Sequence, residues 1–190
     1  MHFDRIHGLA ELLAGQAMGE PAPVEAWDSP YRGDIGLNVR ADGIWLYQNS
    51  PISRRPLVQL FARVLRRDDD GRHYLVTPAE RVDVLVEDAP FLAVEMQVEG
   101  SGPDQQLIFR TNLDDIIRCG PACPLRFVEE AGSGGLKPYV LVRGRLEALL
   151  TRSLCYDLFE YAVSAPDQQV GVDAGQPGIW SGGQFFELTF

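Results

Sequence analysis

Two arginines at the start of two predicted helices are the residues that most directly suggest ligand binding. Arg54 lies in "PISRRPLVQLFARVL" and Arg152 lies in "ALLTRSLCYDLFEYAV". A helix start presents free backbone N–H groups, so an arginine beside them can help to hold a phosphate or a carboxylate. The alternative is that each arginine pairs with an acidic side chain of a neighbouring strand or points into water. We treat both arginines as candidate anion contacts.

Four further side chains could complete such a site. Trp45 and Trp180 each offer a flat apolar face, and Thr77 and Ser181 each carry a hydroxyl group. The alternative is that these residues belong to a core edge or a turn, as residues of these types more often do. The predicted ligand-binding set comprises Arg54, Arg152, Trp45, Thr77, Trp180 and Ser181.

Catalytic chemistry has weaker support. The three histidines are scattered and no Gly-x-Ser-x-Gly motif occurs. Three residues separate Cys119 from Cys123, whereas a zinc knuckle has two residues between its cysteines. We therefore predict no metal and no cofactor. An enzyme, most simply a hydrolase that uses Asp34, Asp42 or Glu80 as a base, is kept as an alternative.

Composition and charge limit the partners. The chain has 190 residues, of which 45% are hydrophobic, and a formal net charge of −10 at pH 7. Such an acidic chain repels nucleic acid and anionic membrane surfaces. No apolar run is long enough to span a bilayer, and we identify no export signal. Together with the odd number of cysteines, these features favour a cytoplasmic protein. The net charge predicts that it binds neither nucleic acid nor membranes.

The two arginine segments resemble each other. When they are aligned, Ile52-Ser53-Arg54 corresponds to Leu150-Thr151-Arg152, and Leu60-Phe61 corresponds to Leu158-Phe159. Both segments follow predicted strands and carry apolar residues at helical spacing, with Ser53 and Thr151 as predicted caps. We therefore predict a repeated strand–helix–strand motif, with chance similarity as the alternative.

The other elements are predicted to be mainly strands. Asp42-Gly43 indicates a hairpin, "NLDDIIRCG" is interpreted as a short helix, and Val140 to Leu150 as one long strand. The predicted fold class is α+β, with two β-rich units that each pack one amphipathic helix on strands. The predicted domains are an N-terminal helix and extended linker (1–30), a hairpin/helix/hairpin unit (31–88) and a larger α+β unit (89–190).

Longer motifs resemble a known family. "GIWLYQNSPISRRPLVQLFARVLRRDDDGRHYLVTPAERVDVLVEDAPF" contains the patterns Asp-Gly-x-Trp, Pro-Ile-x-Arg and Glu-Asp-Ala-Pro-Phe, and "IWSGGQFF" lies near the end. These stretches resemble the bacterial family called domain of unknown function 1285, from about Pro23 to the C-terminus. The resemblance implies a two-part α+β fold built from repeated motifs. It implies no established activity, although signal transduction or small-ligand binding has been suggested for such proteins.

The chain departs from the family pattern before the first hairpin. It has Glu25-Ala26-Trp27 and Arg32-Gly33-Asp34-Ile35-Gly36 where family members often have a His, a Cys and a second Asp. A site that needed those groups would be incomplete, which weakens the enzyme hypothesis. The leading hypothesis is a non-enzymatic module that binds a small anionic ligand or a protein partner, with a role in signalling. A homodimer that pairs through an exposed strand edge is a further alternative.

Overall fold

The computed structural model describes residues 22–130, 132, 134–164 and 177–188. The chain divides into two units, Met1–Asp88 (unit 1) and Ala89–Phe190 (unit 2). The predicted N-terminal helix falls before residue 22 and so lies outside the described residues. Within the described ranges, no helix has the length and apolar character needed to cross a bilayer.

Unit 1 is a six-stranded sheet with one helix. The sheet order is β3-β2-β1-β6-β5-β4, with the parallel pair β1 and β6 at its centre and antiparallel neighbours on both sides. A 3-10 turn at Val24–Ala26 precedes the sheet. The elements of unit 1 are β1 (Tyr31–Val39), β2 (Trp45–Tyr47), β3 (Ser50–Pro51), α1 (Arg55–Arg63), β4 (Leu65–Arg67), β5 (His73–Val76) and β6 (Arg81–Val86).

The predicted hairpin at Asp42-Gly43 is confirmed as the turn between β1 and β2. Gly43 has a φ of 80°, a conformation that glycine adopts without a steric penalty. The Asp42 carboxylate accepts a hydrogen bond of 3.1 Å from the backbone N–H of Ile44. The Asp-Gly pair thus supplies both the backbone freedom and the side-chain acceptor that close the turn.

Unit 2 contains a second six-stranded sheet and a separate hairpin. The sheet order is β10-β11-β12-β7-β8-β9, again with one parallel pair, β12 and β7, at its centre. Strands β13 and β14 pair with each other. The elements of unit 2 are β7 (Phe91–Glu99), a 3-10 turn (Gly102–Asp104), β8 (Gln106–Thr111), β9 (Ile116–Arg118), β10 (Leu125–Glu129), β11 (Leu136–Arg143), β12 (Leu146–Leu150), α2 (Arg152–Ser164), β13 (Gly178–Ser181) and β14 (Gln184–Glu187).

The predicted α+β fold class with repeated strand–helix–strand motifs is wrong. The described chain is mostly β-sheet, with fourteen strands and two α-helices. The two helices also occupy different places, because α1 joins the edge strands β3 and β4, whereas α2 follows β12 at the centre of its sheet. Apolar spacing after a strand predicts an amphipathic helix, but it does not fix which strands flank that helix. The repeated feature is the strand order.

Two predicted elements of unit 2 are also wrong. The long strand is broken by a turn at Gly144, whose φ is 52°, and becomes the antiparallel pair β11 and β12. The predicted short helix is replaced by a turn and strand β9. The hydroxyl of Thr111 accepts hydrogen bonds of 3.3 and 3.0 Å from the N–H groups of Leu113 and Asp115, and so stabilises that turn.

Each helix contributes its apolar face to the core of its own unit. Phe61 of α1 is fully buried, and its ring lies 6.4 Å from that of Trp45 on β2. Helix α2 contacts β7 and buries Leu158 completely, with Leu154 and Ala162 one turn away on either side. Burial of these side chains seats the two helices, because an isolated helix of nine or thirteen residues is marginal in water.

Candidate functional site

Arg54 is the N-cap residue of α1. Its backbone is extended, with φ −79° and ψ 95°, and its carbonyl accepts hydrogen bonds of 2.9 and 3.2 Å from the N–H groups of Leu57 and Val58. The helix begins after Arg54, so the prediction that Ser53 caps it is wrong. The Arg54 side chain is exposed and belongs to unit 1.

Arg152 is the first residue of α2 and is exposed. Its guanidinium donates hydrogen bonds of 3.4 and 3.3 Å from Nε and Nη2 to the hydroxyl of Tyr156, and its central carbon lies 5.8 Å from the centroid of that ring. The hydrogen bond to Tyr156 raises the pKa of Arg152, and the negative charge of Glu130 contributes. Arg152 therefore stays cationic beside an exposed aromatic ring in unit 2.

The hydroxyls of Thr77 and Ser181 are both enclosed in the fold. Thr77 donates to the carbonyl of Glu80 at 3.1 Å and accepts from the Glu80 N–H at 3.1 Å, which closes a tight turn. Ser181 donates to the carbonyl of Cys119 at 2.7 Å and accepts from the N–H of Leu107 at 2.9 Å. Both residues have no exposed surface, so these hydroxyls bind main chain.

The two candidate tryptophans differ in exposure. Trp45 is 2% exposed, and its indole N–H has no hydrogen-bond partner among the described residues. Trp180 is half-buried, with its ring 5.3 Å from that of Phe185. Its carbonyl accepts a 2.7 Å hydrogen bond from the amide of Gln105. Of the six residues predicted to bind a ligand, Arg152 lines a groove on the surface of unit 2.

A groove of about 540 Å³ opens on unit 2 between β11, β12 and the first turns of α2. Five apolar side chains line it, and four polar side chains stand among them. The apolar residues are Leu136, Pro138, Leu149, Leu150 and Phe159, and the polar residues are Glu130, Lys137, Arg152 and Tyr156. Gly135 and Cys155 complete the lining. We call this feature the unit 2 groove.

Local contacts fix the walls of the unit 2 groove. Thr151 donates its N–H to the carbonyl of Ala93 on β7 at 3.0 Å, and its own carbonyl accepts the N–H of Cys155 at 2.8 Å. The start of α2 is therefore tied to the sheet directly after β12 ends. Farther along the helix, the ring of Phe159 lies 6.3 Å from that of Phe127 on β10. Helix and strands are thus joined along the length of the groove.

Charge is distributed unevenly around the unit 2 groove. Lys137 Nζ lies 3.7 Å from a carboxylate oxygen of Glu130, and both side chains are partly exposed. With Arg152, the groove carries two cations and one carboxylate, a formal charge of +1 on a chain of net charge −10. Burial raises the pKa of the Cys155 thiol. The thiol is therefore neutral near pH 7 and adds no charge to the groove.

Unit 1 has a smaller groove of about 350 Å³, and it contains one of the candidate bases, Asp34. Its charged side chains are engaged with each other or with main chain. Asp83 accepts hydrogen bonds from Tyr31 and from Arg72, the latter at 2.5 Å. Asp34 accepts the N–H of Gly36 at 2.6 Å. Burial, with the charge of Arg67, lowers the pKa of the groove residue His73 to about 4.

The other two candidate bases lie in ion pairs. Asp42 lies 3.1 Å from Arg40 and Glu80 lies 3.9 Å from Arg32. Throughout the part of the chain that the structure describes, no group of three His, Cys, Asp or Glu side chains is placed to hold a metal ion. The carboxylates named from the sequence therefore occur singly, each beside a basic or main-chain partner.

Sequence reasoning missed the three other polar side chains of the unit 2 groove. Tyr156 stands four residues after Arg152, a spacing that places two side chains on the same face of a helix, so this neighbour could have been found. Lys137 and Glu130 precede Arg152 by more than ten residues. The folding of β11 against β12 brings them to the helix start, and the sequence contains no signal for that pairing partner.

Comparison with protein families establishes a relationship for both units. The model described as domain of unknown function DUF1285, N-terminal domain, matches residues 22–89. The model described as protein of unknown function DUF1285, C-terminal domain, matches residues 90–188. The chain belongs to the DUF1285 family. The resemblance noted from the motifs is thereby confirmed, and the unit 2 groove lies wholly within the DUF1285 C-terminal domain.

Two solved DUF1285 structures are similar to this chain. A DUF1285 family protein from Silicibacter pomeroyi DSS-3 has 39% sequence identity and a TM-score of 0.82, covering 95% of this chain and 93% of that chain. A DUF1285 family protein from Shewanella baltica OS155 has 24% identity and a TM-score of 0.51, covering 66% of this chain and 91% of that chain, and shows similarity of fold. No match was found among curated proteins. These DUF1285 descriptions name no activity.

Proposed function

We propose that this DUF1285 protein is a binding module whose unit 2 groove takes a small anionic ligand. The observation that supports this is the placement of two cations, Lys137 and Arg152, beside an apolar lining in a groove of about 540 Å³. That volume falls in the range of about 300–1,000 Å³ that is common for small-molecule sites. Apolar burial would supply affinity, and the cations would orient the anionic group.

The chemistry of the groove supports binding rather than catalysis. Its one carboxylate, Glu130, lies 3.7 Å from the ammonium of Lys137 and is about half exposed. Its one thiol, Cys155, lies 3.7 Å from the carbonyl of Leu136 and has a raised pKa. A base that activates a nucleophile stands within hydrogen-bond reach of it, whereas Glu130 lies beside the Lys137 ammonium and Cys155 beside the Leu136 carbonyl. A cytoplasmic module of this kind would signal by reporting the presence of its ligand.

Arg152 keeps its predicted role in this proposal, whereas Arg54 is exposed in unit 1 and does not line this groove. Trp45, Thr77 and Ser181 take no part, because their side chains are enclosed in the fold. Trp180 does not line the unit 2 groove. The proposal therefore rests on Arg152 with Lys137, a residue that the sequence did not suggest.

A thermal-shift screen against small carboxylates and phosphomonoesters, followed by calorimetric titration of the best probe, tests the proposal. A ligand that binds the folded state raises the melting temperature by mass action. We expect the double substitution Lys137→Ala with Arg152→Ala to weaken binding at least tenfold. Arg118→Ala is the matched control for Arg152→Ala alone, because it removes the same charge from an exposed arginine of unit 2 outside the groove, 3.8 Å from Glu99.

Two outcomes would contradict the proposal. In one, no anionic probe shifts the melting temperature, and attention moves to a protein partner. In the other, a probe binds with the same affinity in the double variant as in the unaltered protein. Circular dichroism of each variant checks that a loss of binding does not come from unfolding.

A further inference from the structure

We infer that the ligand of the unit 2 groove is a monocarboxylate with an apolar body, and that Glu130 is the residue that restricts its charge. This inference rests on the proposed function and adds the charge and the shape of the ligand. It follows from two separate properties of the groove, the balance of charge on its polar side chains and the chemistry of its apolar lining.

The charge balance favours a single negative charge. Glu130 lies 3.7 Å from Lys137, so part of the positive field of that lysine is already neutralised. Glu130 also acts on Arg152, since its charge contributes to the raised pKa of that arginine. A monoanion would match the remaining charge of +1. A phosphomonoester, which carries nearly two charges at pH 7, would bring its second charge close to the Glu130 carboxylate.

The lining favours an apolar body. Leu136, Pro138, Leu149, Leu150 and Phe159 present no hydrogen-bonding side-chain group. A sugar or nucleoside laid on this surface would bury hydroxyl groups without partners, which disfavours binding. An alkyl chain or an aromatic ring would bury only apolar area there. The structure therefore favours a carboxylate on a hydrocarbon body over a phosphorylated metabolite.

The test uses probes of equal chain length that differ in charge. Decanoate is the expected ligand, decyl phosphate carries a larger charge at the same end, and sebacate carries a second carboxylate at the far end. We expect calorimetry at pH 7.5 and fixed ionic strength to show decanoate binding at least tenfold more tightly than either of the other two. Arg152→Ala should weaken decanoate binding at least fivefold, which places the probe in the groove.

The variant Glu130→Gln tests the role of the carboxylate. We expect it to improve the binding of decyl phosphate at least fivefold and that of decanoate by less. The ratio of the two dissociation constants should therefore fall. Sebacate should gain little, because its second charge faces the apolar lining. Glu99→Gln is the matched control: it changes the net charge by the same amount outside the groove and should leave the preference unchanged.

The outcomes separate this inference from the proposed function. If decyl phosphate binds as tightly as decanoate, and both depend on Arg152, the inference is overturned while the groove remains an anion site. The same holds if decanoate does not bind but a sugar phosphate binds in an Arg152-dependent way. An unchanged preference in Glu130→Gln overturns the role of Glu130. If neither these probes nor the wider anion screen detects binding, the proposed function fails as well.

Discussion

The two sheets of this protein share a strand order but receive their helices at different places. Each sheet has a parallel pair at its centre, formed by the first and last of its six strands. In unit 1 the helix joins the edge strands β3 and β4, whereas in unit 2 it follows β12, the later of the two central strands in the sequence. Each half of either sheet consists of three strands that are consecutive in sequence. The two units therefore form the same strand order although their helices lie at different places in the chain.

The units also differ in how they use arginine. In unit 1, Arg66 is 8% exposed and donates hydrogen bonds of 2.7 and 2.9 Å to the carbonyls of Val24 and Trp27 and one of 2.6 Å to Asp68. It holds the segment before β1 against β4. In unit 2, Arg152 is exposed beside an apolar groove. Arg66 is enclosed by main-chain carbonyls and stabilises the fold, whereas Arg152 is exposed and donates to the Tyr156 hydroxyl on its own helix.

The largest effect that we expect comes from truncating the buried side chains that pack each helix on its sheet. Phe61→Ala in unit 1 should lower the free energy of unfolding by about 3–5 kcal/mol, and Leu158→Ala in unit 2 by about 2–5 kcal/mol, because each side chain is fully buried. Urea denaturation followed by circular dichroism measures both. Val163→Ala, on an exposed face of α2, is the control and should change stability by less than about 0.5 kcal/mol. If Phe61→Ala or Leu158→Ala lowers the free energy of unfolding no more than Val163→Ala does, other contacts hold that helix in place.

A smaller effect should separate a buried arginine from an exposed one. Arg66→Ala leaves Asp68 and two half-buried main-chain carbonyls without this donor and should cost about 3 kcal/mol of unfolding free energy. Arg126→Ala removes a bidentate pair with Glu147 at 2.8 Å in which the arginine is half exposed, and it should cost about 1 kcal/mol or less. If chemical denaturation shows equal losses of unfolding free energy for the two variants, burial does not explain the difference between these arginines.

The smallest expected effect is a pH dependence that comes from His73 in unit 1, the unit that contains all three histidines of the sequence. Burial lowers the pKa of His73 from 6.5 to about 4, so the folded state holds this ring neutral while the unfolded chain protonates it. Its contribution is therefore present above pH 6.5 and is lost as pH falls towards 4. The loss should reach about 1–2 kcal/mol, since the ring is half-buried and solvent reduces the shift.

The variant His73→Gln isolates that contribution. Between pH 7.5 and pH 4 the unaltered protein should lose about 1–2 kcal/mol of unfolding free energy relative to the variant, because only the unaltered protein loses the histidine contribution. Carboxylates titrate equally in both proteins, so they cancel in the difference. Stability curves that stay parallel over this range would show that His73 has an ordinary pKa in the folded protein.

Elements set by neighbouring residues were predictable. The Asp-Gly hairpin and the two amphipathic helices were found, because turn chemistry and apolar spacing act over a few residues. Helix α1 nevertheless starts after Arg54 rather than at the predicted Ser53 cap. Strand β9 was missed, since an apolar strand and a helix turn look alike over so short a stretch. The break at Gly144 was missed because apolar residues alternate in the same phase on both sides of it.

The sequence by itself determined the Asp-Gly hairpin, the two amphipathic helices, the family and one residue of the groove, Arg152. Only the tertiary structure decided the strand order, the enclosure of Thr77 and Ser181, and the approach of Lys137 and Glu130 to the start of α2. Local preferences depend on adjacent residues and can be inferred from them. Pairing between distant strands depends on which apolar faces are buried together, and that is settled only when the whole sheet forms.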